Sequence, residues 1–229
     1  MNGDGILYGI SVWAIPVIFA ITFHEAAHGF VAHRLGDDTA WRLGRVSANP
    51  LRHIDPMGTI ILPGLLLLMR APFLFGYAKP VPVNFGRLHN PKRDMVWVAA
   101  AGPATNILLA LISGWLTHAV PYLSPTAGAW VLQNLFHSIE INVALAVFNM
   151  IPLPPLDGGR VAVGLLPNAL AIPLAKSERY GMLILLTLLF VVPYIGQQLH
   201  RDFNVIAYVL EVPFDVILNG VAAMTGVPR

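Results

Sequence analysis

Two histidines flank a glutamate in the run His24-Glu25-Ala26-Ala27-His28. On a helix, His24 and His28 lie about one turn apart on one face. Their imidazoles can share a zinc ion while Glu25 polarises a water bound to it. The longer form of this motif adds a glycine and a further histidine in the following turns, but Val31 and Arg34 occupy those positions. A third ligand must come from elsewhere, and the chain has no cysteine, so it must be His, Asp or Glu. The alternative for the motif is a pair of interfacial histidines with a glutamate that pairs with an arginine.

Asp157 is the candidate third ligand. It closes an apolar stretch, between Leu156 and the pair Gly158–Gly159. An aspartate within a spanning helix costs about 2.5–3.5 kcal/mol on insertion scales, and coordinating a cation would offset that cost. The alternative is a helix-capping aspartate at the membrane surface, because Pro154, Pro155 and the two glycines are also turn formers. Asn106 and Asn149 are amides inside apolar runs. They are candidates for holding a substrate backbone or stabilising an oxyanion, against the plainer reading of interhelical hydrogen bonding. His33, His53 and His89 fall in a polar region, with His53 the one to watch near the site; His118 and His137 fall at the far ends of their spans and are discounted as ligands.

These residues sit in an unusual setting. Gly5 to Phe23 is nineteen residues without an acidic, basic or histidine side chain, close to the length that crosses a bilayer. Of 229 residues 56% are hydrophobic and only 11% charged, with a mean hydropathy of +0.66, whereas soluble domains carry about 25% charged residues. This composition points to an integral membrane protein. The formal charge is +2, with no lysine-rich or aromatic-interleaved patch, which argues against nucleic acid as a partner. The first apolar run has no basic residue ahead of it and no small-residue cleavage site behind it, so it is expected to be retained as a span.

The expected fold is an α-helical polytopic membrane protein of about four to six transmembrane helices. Spans are expected at about Gly5–Ala32, Met95–Val120, Ala129–Ile151 and Tyr180–Leu199, with Phe203–Val227 either a last span or an interfacial helix. Residues 1–229 read as a single domain, with a core at about 5–165 and C-terminal helices at about 178–229. Lys79 to Asp94 is proline-rich, and its Val81–Val83 alternation suggests an extended segment confined to a sheet edge.

Charge sets an orientation. No Lys or Arg precedes Arg34, so the N-terminus is expected outside and the His24–His28 end of the first span towards the cytoplasm. Nine of the fourteen basic residues lie between Arg34 and Arg93. If Met57–Phe75 crossed the membrane once, Asp157 would arrive on the opposite side from His24. That segment is therefore expected to be re-entrant, or to make two short crossings.

Taken together, HEAAH, NPLRHIDPMGT, GYAKPVPVNF, NPKRDMVWVAAAGPATN and FNMIPLPPLDGGR resemble the site-2 protease family of intramembrane zinc metalloproteases, in its short bacterial-type form. The resemblance runs in order over roughly two thirds of the chain, about 17–165. It implies one zinc per chain held by His24, His28 and Asp157, Glu25 as general base, and Asn149 in the substrate or oxyanion region, with Asn106 a second candidate there. It also implies transmembrane substrates, single-span ones foremost, in a prokaryotic plasma membrane. The PDZ or CBS domains that many members carry are absent from this sequence. An unwound substrate could add to the Val81–Val83 edge by β-augmentation. Two other classes remain: a metal-ion transporter, which would want ligands at several depths, and a non-catalytic scaffold, which would have no need of Glu25.

Overall fold

In the computed structural model, residues 3–61, 64–65, 68, 76, 78–201 and 203–227 are described. The chain is helical, and no strand occurs among the described residues. Helix α1 is Gly3–Arg34, α2 Pro91–Leu116, α3 Pro125–Asn149 and α4 the short Asp157–Leu165. Helix α5 runs from Asn168 to Gln198 with a π-helical stretch at Thr187–Val191, and α6 is Val205–Thr225. All but α4 are long and apolar enough to cross a membrane. Their outward faces carry Ile10, Phe19, Leu108, Ile112, Val212 and Val216, all exposed; lipid, unlike water, exacts nothing for such side chains.

Several boundaries differ from expectation for local reasons. Pro91 and Pro125 open α2 and α3 at the first turn, where a missing N–H is harmless; the helices therefore begin inside stretches whose prolines read as helix-breaking. At α2 the Asp94 carboxylate also accepts the Asn90 N–H at 2.7 Å. Helix α5 starts at Asn168, not near Tyr180. Its charged Lys176, Glu178 and Arg179 all stay exposed, and Glu178 meets Arg160 of α4 at 3.2 Å.

Helices α1, α2 and α3 pack against one another, and α6 lies along α2 and α3. Ala110 of α2, Ile139, Val143 and Val147 of α3 and Val221 of α6 form one buried cluster. Helix α6 runs antiparallel to α3, since Phe148 of α3 lies beside Ala207 and Phe136 beside Thr225. It ends on Gly226 at φ +72°, a left-handed cap, with the Thr225 carbonyl 2.6 Å from His118 Nε2. Between the two alternatives left by the sequence, this span-length helix packs as a span does.

A second cluster, Ala32 of α1, Val98 of α2 and Leu88, gathers Val83 and Phe85. It seats the proline-rich segment against the far end of α1. That segment has no strand partner among the described residues, so the expected sheet edge is corrected to an isolated irregular stretch. Pro80 and Pro82 lack N–H groups, the Val81 and Asn84 N–H groups donate to the Glu25 and Asp37 carboxylates, and the Lys79 N–H donates to the His53 carbonyl. Most of Met57–Phe75 lies outside the described residues, and the re-entrant expectation falls there.

Candidate metal centre

Helix α1 projects His24 and His28 towards α2 and the N-terminus of α4. Three atoms converge there: His24 Nε2 and His28 Nε2 are 3.1 Å apart, and Asp157 Oδ2 is 3.2 and 3.3 Å from them. The three residues are 7, 9 and 7% exposed. Among the described residues they form the one cluster of His, Asp and Glu side chains able to hold a metal.

The partners behind the rings decide what these atoms can do. Asn106 Nδ2 donates to Asn142 Oδ1 at 2.8 Å and to the Ala20 carbonyl at 3.3 Å, which turns its Oδ1 towards His24 Nδ1 at 2.5 Å. His28 Nδ1 lies 2.7 Å from the Val98 carbonyl, which can only accept. Both Nδ1 atoms therefore carry the proton, and both Nε2 atoms present lone pairs. The third acceptor, Asp157 Oδ2, is buried and has no hydrogen-bond partner among the described residues. Three acceptors facing one another repel unless a cation lies between them. A tetrahedral zinc with bonds of about 2.0–2.1 Å sets its ligand atoms about 3.3–3.4 Å apart, so the residues fit the ion.

Each ligand is held by its local sequence. Asp157 is the first residue of α4, where the helix N-terminus favours its negative charge. Gly158 and Gly159 let the preceding turn fold back. A Cβ on Gly158 would fall 2.2 Å from the Met150 carbonyl oxygen, and one on Gly159 would fall 2.3 Å from Pro154 N. Gly102 of α2 presses on the imidazoles themselves, because a Cβ there would lie 2.5 Å from both His24 Cε1 and His28 Nε2.

Glu25 is half-buried, and its Oε2 accepts the Val81 N–H at 2.8 Å. The extended segment thus reaches the glutamate between the ligands. The Val81 side chain is buried, and a Cβ on Gly29 would sit 3.0 Å from Val81 Cγ1; only a glycine there lets the segment approach α1 so closely. Val83 packs in the second cluster.

The remaining candidates are placed as follows. Asn106 is wholly buried, and both ends of its amide are taken by His24, Asn142 and Ala20. It stands behind a candidate ligand, with its amide committed within the protein. Asn149 is partly buried and donates to the Leu145 carbonyl at 3.0 Å. His33 stacks on Trp41 at 4.5 Å, His137 on Trp13 at 4.0 Å, and His53 Nε2 is 2.9 Å from the Ser47 carbonyl; none of them joins the cluster. Asn142 and Gly102 were not singled out by sequence. The available signals were an amide within an apolar span and a glycine directly before Pro103.

The profile of peptidase family M50 matches residues 119–192. A Bacillus subtilis protein named "Putative zinc metalloprotease YwhC" is 39% identical over 183 residues, covering 78% of this chain and 80% of its own length. The chain belongs to peptidase family M50, the site-2 protease family. A Mycolicibacterium smegmatis protein named "Putative zinc metalloprotease Rip2" is 30% identical over 75% of this chain and 64% of its own length. A Methanocaldococcus jannaschii protein named "Putative zinc metalloprotease MJ0611" is 30% identical over 67% and 72%. No solved structure matches. With the five apolar helices, membership makes the chain a metalloprotease integral to a membrane.

Proposed function

We propose that this M50 metalloprotease holds one zinc per chain on His24, His28 and Asp157 and hydrolyses peptide bonds within or beside transmembrane segments, single-span substrates foremost. The observation that carries the reading is the meeting of three lone-pair atoms at 3.1–3.3 Å with both Nδ1 protons spent elsewhere. Zinc bound there supplies Lewis-acid polarisation of the scissile carbonyl and acidifies the attacking water. The rest is the work of the chain. Glu25 accepts the proton of that water and delivers it to the leaving amine. Asn106 and the Val98 carbonyl keep the imidazoles oriented.

A transmembrane helix hides its carbonyls in its own hydrogen bonds and must unwind before attack. The irregular stretch at 79–83 is proposed to receive the unwound strand, since Val81 already reaches Glu25 with its N–H. Among the described residues the Asn149 amide oxygen accepts no hydrogen bond, and it is proposed to meet the substrate backbone. The basic residues of 34–93 support an orientation with the N-terminus outside and the catalytic end of α1 towards the cytoplasm. Bacterial and archaeal relatives support a prokaryotic plasma membrane.

The test is the purified protein and its Glu25→Gln variant in vesicles with a model single-span substrate. Wild type is expected to cleave, lose cleavage on chelation and regain it with zinc; the variant is expected to keep zinc and lose cleavage. Undiminished cleavage by the variant overturns the assignment. Movement of metal across the vesicle would favour a transporter instead.

A further inference from the structure

Arg45 lies on the loop after α1 and is 9% exposed. No carboxylate among the described residues lies within ion-pair distance of it, and its Nε is buried without a partner. A buried guanidinium is costly unless its charge is answered. Its Nη2 donates to the Lys79 carbonyl at 2.8 Å and lies 3.4 Å from the Pro80 carbonyl. The Pro80 carbonyl and the Val81 N–H belong to one peptide unit, and that N–H donates to Glu25 Oε2 at 2.8 Å. A cation therefore stands at the oxygen end of this peptide and an anion at its N–H end, an order in which each hydrogen bond polarises the next.

The loop that carries Arg45 is itself anchored. The Arg45 N–H donates to the Ala40 carbonyl at 2.9 Å, and the Lys79 N–H donates to the His53 carbonyl at 2.9 Å. Val46 packs over Gly29, where an added Cβ would come within 2.8 Å of it. Arg45 and His53 thus grip Lys79 from its two sides, one residue before the peptide that touches Glu25.

We infer that Arg45 is a positioning residue for the reaction: through the Pro80–Val81 peptide it fixes where the Glu25 carboxylate stands. The inference rests on the protease reading above, with Glu25 as the base.

The test uses Arg45→Met, which keeps the side-chain volume, and Arg45→Lys, which can still reach one carbonyl. Arg45→Met is expected to lower kcat by about 10- to 100-fold, the scale of a small misplacement at a reacting group, with KM changed by less than about threefold. Zinc content is expected to stay that of wild type, and Arg45→Lys to recover part of the rate. Because the chain has no cysteine, Lys79→Cys gives a single spin-label position on an exposed side chain. Its label is expected to become more mobile in the Arg45→Met background. Three outcomes overturn the inference: an unchanged kcat, an unchanged label mobility, or a loss of zinc in step with the loss of rate in both variants, which would make Arg45 a general structural support. Cleavage that survives in Glu25→Gln would instead overturn the protease reading, and the label would still report whether Arg45 grips the segment.

Discussion

Asn106 Oδ1 and His24 Nδ1 lie 2.5 Å apart, joined across 82 positions of sequence, and the amide is wholly enclosed by α1, α2 and α3. The contact sets the tautomer of His24 and hence which nitrogen faces the other two ligand atoms. Partners of this kind are worth about 10- to 100-fold in metal affinity.

Asn106→Leu is therefore expected to weaken zinc binding by about 10- to 100-fold, read by competition with a chelator. It also strips Asn142 Oδ1 of its donor, a buried loss of about 1–3 kcal/mol. Asn106→Asp keeps an acceptor towards His24 and should bind zinc more tightly than Asn106→Leu. Equal affinities for the two variants would count against the tautomer argument.

Gly102→Ala places a methyl within 2.5 Å of both imidazoles. Overpacking of this sort costs about 1–3 kcal/mol, and here the histidines must move. Zinc stoichiometry and cleavage should fall together. Gly220→Ala in α6 meets nothing within 4 Å and should leave both unchanged, with a gain of about 0.5–1 kcal/mol in helix stability.

Asp157→Ala removes the ligand that bears the negative charge, while Glu25→Gln removes none. The first should abolish stoichiometric zinc. The second should retain it and slow cleavage by about 10²- to 10⁴-fold, the usual worth of a general base. Metal analysis of the two proteins side by side checks this pairing; zinc lost from Glu25→Gln as well would contradict it.

Asp37 anchors the far end of the extended segment. Its carboxylate accepts the Asn84 N–H at 2.6 Å and the Thr39 hydroxyl at 2.5 Å. Burial pushes its pKa up, but the Thr39 hydroxyl, the Asn84 and Thr39 N–H groups and nearby Arg87 outweigh this and hold it below the ordinary carboxylate value. A depressed folded pKa contributes stability that is complete above the unfolded value, about 3.9, and is lost as pH falls through the folded one. Acidification below about pH 4 should thus loosen the Asn84 end of the segment, seen as a fall in its amide protection relative to the intrinsic exchange rate at each pH. Asp37→Asn should be loosened already at pH 7 and show a flatter acid limb.

Much of the site was legible because its chemistry is local or costly. His24, Glu25 and His28 share one helix turn, and Asp157 is a carboxylate with no business in an apolar stretch unless something answers its charge. What could not be read was which buried amide faces which ring. Asn106 and Asn149 look alike in sequence, yet Asn106 stands behind His24 and Asn149 caps its bonding on Leu145. Arg45 was lost among the other arginines of a polar loop, because only the folded loop buries it. Gly158 and Gly159 read as turn formers, whereas both lie buried in the first turn of α4 and are pressed against backbone. The proline-rich stretch has no helix from Lys79 to Asn84, but a 3-10 turn at Phe85–Arg87 and the start of α2 fall within it, the latter because Pro91 sits in the first turn.

The hydrogen-bonded series Ser138, Asn142, Asn106, His24 crosses three helices, and Asp157 follows only after the last of them. A nascent chain emerging from the ribosome therefore carries His24 for 82 residues before Asn106, which orders its proton, has been made, and both histidines for longer still before Asp157 follows. A truncated product that stops before α4 would enter the membrane with two of the three proposed ligands and without the carboxylate that answers the metal's charge.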